Sequence, residues 1–243
     1  MPSLRGSALR LFTVQGSWNY ERMLGVGLGF VTEPLLRDLP GGPRGPAYRS
    51  ALARATGYFN AHPYLVGLAA GALARAEHDG LPAAQIDRLR TALLGPLGSV
   101  GDRLVWAGTL PAAVGVGLAL SATAPVGVGA AVLLALHNAV HLTLRLWSLR
   151  AGWRLGPRIA RALGSPVVSR ALGVAGPAAA LSVGAALPVV GAWLTRDFDA
   201  GARLAVVFVF VAALVVVRWL APRFGAVRFG LLAAALALGA ELL

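Results

Sequence analysis

Cysteine is absent from this chain, which excludes disulfides, thiolate metal centres and any phosphocysteine intermediate carried by its own residues. Lysine is absent too, so all 22 basic side chains are arginines, set against 10 acids for a net charge of +12. A nucleic-acid binder would carry such an excess to neutralise phosphates. Here the arginines stand between apolar runs, most densely at Arg145, Arg150, Arg154, Arg158, Arg161 and Arg170 with no acid among them. That placement is the signature of a cytoplasmic loop touching anionic lipid headgroups, and no nucleic acid is expected. Charge disappears altogether from 104 to 144, a run of 41 residues. No GxSxG, Walker or HExxH pattern occurs, so a self-contained active site is not expected. His137 and His141 share the i,i+4 spacing of paired metal ligands, but no third ligand lies nearby, so neither a metal nor a cofactor is expected.

What is present is apolar. With 57% hydrophobic and 13% charged residues, the composition fits a helical membrane protein better than a soluble domain. Leu4, Ala8, Leu11 and Phe12 lie at helical spacing opposite Arg5 and Arg10, as in a helix lying in the membrane surface. The apolar stretch at 11–14 is too short for a signal-peptide core, so no cleaved leader is expected. Segments 24–36 and 63–76 are roughly 20 Å long as helices, too short to span, and read as re-entrant half-membrane segments or as helices buried in protein. Between them, 40–46 is a loop by its Pro and Gly content, and 47–59 a short helix. Residues 77–103 mix both signs of charge and read as solvated, with a surface helix at 83–94. A broken, polar-edged turn follows, running from Gly95 to Asp102. Irregular backbone at membrane depth survives only inside protein or beside water, and transporters place substrate at such interruptions.

The uncharged run is long enough for a hairpin, 104–120 and 126–147, turned at 121–125. Further spans are expected at 171–195, with Pro177 and Pro188 as possible breaks, and at 204–220 and 227–243. The arginines orient the set: 145–170 and 218–228 face the cytoplasm, 121–125 and 196–203 the outside. Gly67 and Gly71 fit the small-xxx-small pattern of close helix packing. The expected fold is an all-α polytopic membrane protein with re-entrant half-membrane segments and an N-terminal interfacial helix. Three regions are expected: 1–23, an amphipathic and partner-contact segment; 24–160, a transport region; and 161–243, C-terminal transmembrane helices.

Three blocks of residues resemble one family, the IID subunit of mannose/fructose/sorbose-type sugar phosphotransferase permeases. The first is Gln15-Gly16-Ser17-Trp18-Asn19-Tyr20-Glu21-Arg22-Met23; the second is Phe59-Asn60-Ala61-His62-Pro63-Tyr64-Leu65, followed by Gly67, Gly71 and a helix ending at Glu77. The third runs from Leu94 through Gly95-Pro96-Leu97-Gly98-Ser99-Val100-Gly101-Asp102 to Trp106 and Thr109-Leu110-Pro111. Asn138 and Arg145, with Gly152, Trp153 and Gly156, resemble the stretch after the family's hairpin, so the likeness covers about 8–160. Three positions depart from it: Arg75-Ala76-Glu77 where the family has paired acids, Arg103 after Gly-Asp, and the missing Arg of its TLRP segment.

The resemblance implies a subunit of the bacterial inner membrane that is not an enzyme by itself. It would pair with a IIC membrane subunit in a hetero-oligomer to translocate a hexose, while cytoplasmic IIA and IIB subunits carry the phosphoryl group. The alternative is a non-transporting scaffold or regulator descended from such a subunit. The candidate substrate-contacting residues are Asn60, His62, Ser99, Asp102 and Trp106. His62 either bonds sugar or caps the helix after it; Asp102 either accepts from sugar hydroxyls or holds the broken turn through backbone N–H groups. Trp18 and Trp106 are candidates to stack on a sugar ring, whereas Trp147 and Trp153 read as interfacial anchors. Trp18, Asn19, Glu21 and Arg22 form the expected partner-contact set, through a local ion pair or by locking the first helix to the partner.

Overall fold

The computed structural model describes residues 4–220. Helix follows helix: α1 (Leu4–Arg10), α2 (Gly25–Leu36), α3 (Pro46–Ala55), α4 (Val66–His78), α5 (Ala83–Gly101), α6 (Leu110–Thr123), α7 (Val126–Leu155), α8 (Ala160–Leu163), α9 (Pro166–Leu194) and α10 (Ala200–Leu220). No β-sheet forms among the described residues. The chain divides into two compact units, Met1–Val190 and Gly191–Leu243. Among the described residues, three stretches are long and apolar enough to cross a membrane: Ala83–Thr123, Gly127–Arg158 and Pro166–Leu194. The all-helical membrane fold expected from sequence is therefore observed; the span expected at 227–243 lies outside the described residues.

The broken turn is not there. α5 runs unbroken through Gly95, Pro96 and Gly98, and Asp102–Thr109 continues it as a widened π-type coil into α6. Pro96 and Pro111 each withhold one N–H, and the widened turns just before Pro111 make room for its ring. Pro177 and Pro188 likewise leave α9 continuous. The hairpin does turn where expected, because Ala124 is driven to extended backbone (φ −132°, ψ 174°) by the proline that follows it. The Arg-rich loop begins later than expected: α7 runs to Leu155 and ends at Gly156, whose φ of +52° suits glycine. Arg145 thus lies inside a helix, not in a loop.

The core of the first unit is α4, too short to span and buried at every position from Val66 to Ala74. It sits against α2 and α7. Small residues let it do so: a Cβ on Gly67 would meet Ser148 and Leu149 of α7, one on Gly71 would meet Trp153 and Leu149, and one on Gly152 would strike the α4 backbone at Leu68. The close-packing reading of Gly67 and Gly71 is what the geometry shows. Trp153 packs edge-on to His78 with ring centroids 5.4 Å apart.

Ion pairs tie the shorter helices to this core. Arg54 of α3 grips Glu77 of α4 through two bonds of 2.9 and 2.7 Å, a fork geometry that fixes both partners. Arg75 pairs with Asp79 at 2.8 Å. On α2, Glu33 accepts from Arg10 at 2.7 Å, from Arg37 at 2.7 and 2.9 Å, and from the Tyr48 hydroxyl at 2.9 Å. Burial works against the Glu33 carboxylate, but the Arg37, Tyr48 and Arg10 donors outweigh it and hold its pKa below the usual carboxylate value. In the second unit, Asp199 caps α10 by accepting from the Ala202 N–H at 2.8 Å.

Candidate functional site

Three stretches meet around a cavity of about 450 Å³ in the first unit. The N-terminal stretch supplies Gln15 and Trp18, the stretch leading to α4 supplies Asn60, His62 and Pro63, and the α5–π stretch supplies Ser99, Asp102 and Trp106. Such a volume lies within the roughly 300–1,000 Å³ usual for small-molecule sites.

The first two stretches are pinned to one another by backbone bonds. Phe59 donates to the Arg22 carbonyl at 3.2 Å and Leu24 to the Phe59 carbonyl at 2.8 Å, with the Phe59 ring fully buried beneath. Within the N-terminal turn, the Asn19 side chain accepts from the Arg22 N–H at 2.8 Å and donates to the Ser17 carbonyl at 3.1 Å. Met23 closes that turn at φ +53°, a conformation few side chains adopt. The third stretch is a helical face, since Ser99, Asp102 and Trp106 follow one another at spacings of three and four.

Burial separates the lining residues into two kinds. His62 is 2% exposed, its ring set against Tyr64 (centroids 5.0 Å, 87°) and Trp106 (5.1 Å, 50°). Its Nδ1 accepts from the Tyr64 N–H at 3.2 Å, which places the proton of the neutral ring on Nε2. That bond lies in the turn before α4, whose start at Val66 has no side-chain cap, so His62 does not cap the helix as the capping reading expected; among the described residues the buried Nε2 has no hydrogen-bond partner. Pro63 does not open α4; a turn over 63–65 comes first. Gly101 faces the ring directly, and a Cβ there would overlap it. Asn60, Ser99, Asp102 and Trp106 are the other kind, exposed and without a side-chain hydrogen bond or ion pair among the described residues. Since Asp102 bonds no backbone N–H, its expected part in holding a broken turn falls away with the turn itself.

All five candidate substrate-contacting residues therefore line one cavity. The partner-contact set is more dispersed: Trp18 lines the cavity, while Glu21 and Arg22 form an exposed pair at 3.7 Å. Trp18 stands edge-on to Tyr20 at 4.8 Å, with Tyr20 83% exposed.

A sequence profile of the PTS system mannose/fructose/sorbose family IID component matches residues 2–190. The chain belongs to that family. It is 32% identical over 168 residues to the PTS system mannose-specific EIID component of Escherichia coli K12, covering 66% of this chain and 58% of the relative. The sorbose-specific EIID component of Klebsiella pneumoniae is 32% identical over 169 residues, covering 67% and 60%. The fructose permease IID component of Bacillus subtilis is 31% identical over 151 residues, covering 59% and 53%. The chain spans a little over half the length of these curated relatives. Among solved structures, one titled a membrane protein is similar at a TM-score of 0.67 and 26% identity, covering 75% of this chain and 68% of that one. A cryo-EM structure of the mannose transporter ManYZ in complex with microcin E492 shares the fold at a TM-score of 0.57 and 24% identity, covering 96% and 94%.

In this IID component, reasoning from sequence missed Gln15 and Tyr64, although both stand inside quoted motif blocks. Tyr64 is the hub behind the cavity: its hydroxyl lies 3.1 Å from His137 Nε2, and its ring stacks on His141 at 4.4 Å and 9°. The two histidines thus share an aromatic partner, and no metal-holding group of side chains occurs among the described residues.

Proposed function

We propose that this chain translocates a hexose across the bacterial inner membrane, as a multi-pass subunit paired with a IIC subunit, while IIA and IIB subunits supply the phosphoryl group. The observation that carries this reading is the convergence of Asn60, His62, Ser99, Asp102 and Trp106 on one cavity, four of them without a side-chain hydrogen bond or ion pair among the described residues. Polar groups left free along the wall of a cavity are available to a ligand rich in hydroxyls. Asp102 accepts from vicinal hydroxyls, Asn60 donates and accepts, and the His62 Nε2–H donates. The Trp106 indole offers a flat apolar face to the C–H side of a pyranose ring. The phosphoryl step belongs to the partner subunits in this reading. The exposed Trp18–Tyr20 turn, held rigid by Asn19 and Met23, supplies the contact with the IIC subunit.

The test is uptake of radiolabelled mannose, fructose and sorbose by the chain co-expressed with IIC, IIA and IIB subunits of the same family, in cells lacking other permeases of this type. Uptake that depends on phosphoenolpyruvate, and that is lost in Asn60→Ala and Asp102→Ala while the complex still purifies intact, is the expected result. An assembled wild-type complex that takes up none of the three sugars would overturn it in favour of a scaffold or regulator.

A further inference from the structure

Arg145 is the most deeply buried charge among the described residues, 3% exposed in the middle of a membrane-length helix, and no carboxylate pairs with it. A cation in that position is costly and marks function by default. Its guanidinium donates to the Leu11 carbonyl at the end of α1 and lies between two rings, 5.0 Å from the Tyr64 centroid and 5.5 Å from that of Phe12. A carbonyl dipole and two π faces therefore stand in for the missing anion. Tyr64 touches the cavity wall on its other edges, through its N–H to His62 Nδ1 and through ring contacts to His62 and Trp106 at 5.0 and 6.0 Å. One buried cation on α7 thereby connects the N-terminal stretch, which carries Gln15 and Trp18, to the wall that carries His62 and Trp106.

We propose that Arg145 is a positioning residue for the cavity: it clamps the N-terminal stretch against the Tyr64 ring and so fixes the orientation of His62 and Trp106. Its role in sugar affinity rests on the reading of the cavity as a sugar site; its geometric role does not. The two are separated by two readouts on the co-expressed complex.

The first needs no sugar. Asn60→Cys provides the only thiol in the chain, at the exposed edge of the cavity, and its rate of reaction with a small maleimide reports the shape of that edge. Adding Arg145→Gln, which keeps a donor for Leu11 but removes the cation between the rings, changes that rate at least fivefold; an unchanged rate overturns the clamp. The second readout is uptake of mannose, fructose and sorbose on the native-Asn60 background. Arg145→Gln raises the half-saturating concentration about tenfold with little change in maximal rate, and Arg145→Lys, which restores the cation, recovers most of the loss. Tyr64→Leu, which also removes the ring contacts to His62 and Trp106, raises it at least as far, and the Arg145→Gln/Tyr64→Leu pair is no worse than Tyr64→Leu alone, because Arg145 acts through that ring. Effects that multiply would overturn the proposal. A changed labelling rate with unaltered sugar affinity would refute the sugar-site reading and leave the clamp standing. Should Arg145→Gln fail to accumulate, Phe12→Leu removes one face of the cation's cradle from the half-exposed side and must still change the labelling rate; no change there overturns the proposal.

Discussion

Gly101→Ala tests whether the cavity wall is set by steric contact. Gly101 is helical at φ −65°, ψ −44°, so its backbone does not require glycine, and in an exposed helix interior alanine would gain about 1 kcal/mol in propensity. Room is what glycine provides here. A Cβ would overlap Cβ and Cγ of His62 and come within 3.0 Å of its Nδ1, and His62 is wedged between Tyr64 and Trp106 with nowhere simple to go. Overpacking of this kind costs about 1–3 kcal/mol. Set against the propensity gain, the net loss of stability is on the order of 0–2 kcal/mol, small enough for the complex to assemble. The site feels more, because a displacement near 1 Å of a positioned group can cost on the order of 100-fold. The expected result is a thermal midpoint of the detergent-solubilised complex within a few degrees of wild type, with uptake efficiency down ten- to a hundredfold. Gly173→Ala in α9, where an added Cβ meets nothing within 4 Å, is the control and should leave uptake unchanged. Wild-type uptake by Gly101→Ala, or an equal loss in the control, would refute the reasoning.

Asp102→Asn removes a charge that makes no ion pair or side-chain hydrogen bond among the described residues, so stability should move by less than about 0.5 kcal/mol while uptake falls at least tenfold; a stability loss matching the uptake loss would point to a structural role. Glu33→Gln should cost on the order of 1.5–3 kcal/mol, because three donors face that carboxylate. With its folded pKa lowered, Glu33 contributes stability above its unfolded value near 4.3 and loses it as pH falls through the folded value, so thermal midpoints should decline below about pH 4.3 in wild type and less so in Glu33→Gln; superimposable profiles would exclude the network. Since the chain has no cysteine, Ser169→Cys should resist an impermeant thiol reagent in intact cells and Ala200→Cys should react, and the reverse pattern would invert the topology drawn from the arginines. Gly71→Leu should abolish accumulation of the complex on a membrane-fraction blot, because the α4–α7 crossing has no room for the side chain; normal accumulation would disprove that packing.

Much of this protein follows from the sequence alone, for local reasons. Uncharged runs of the right length require spans, and an Ala-Pro step ends a helix. The motif blocks carried the family and the cavity residues, since Ser99, Asp102 and Trp106 recur at a helical spacing. Tertiary structure decided the rest. Gly95, Pro96 and Gly98 looked like breakers, yet the helix continues through them, because forgoing the one bond Pro96 cannot donate costs less than leaving a whole turn of backbone groups unpaired where no water can reach them. Arg145 looked like the first charge of a loop, yet it is inside, because the carbonyl and rings that hold it come from residues 81 to 134 positions away in sequence. No local pattern records such partners. Gly101 reads as one more small residue until the His62 ring is seen against it, and that contact exists only once three distant stretches have been brought together.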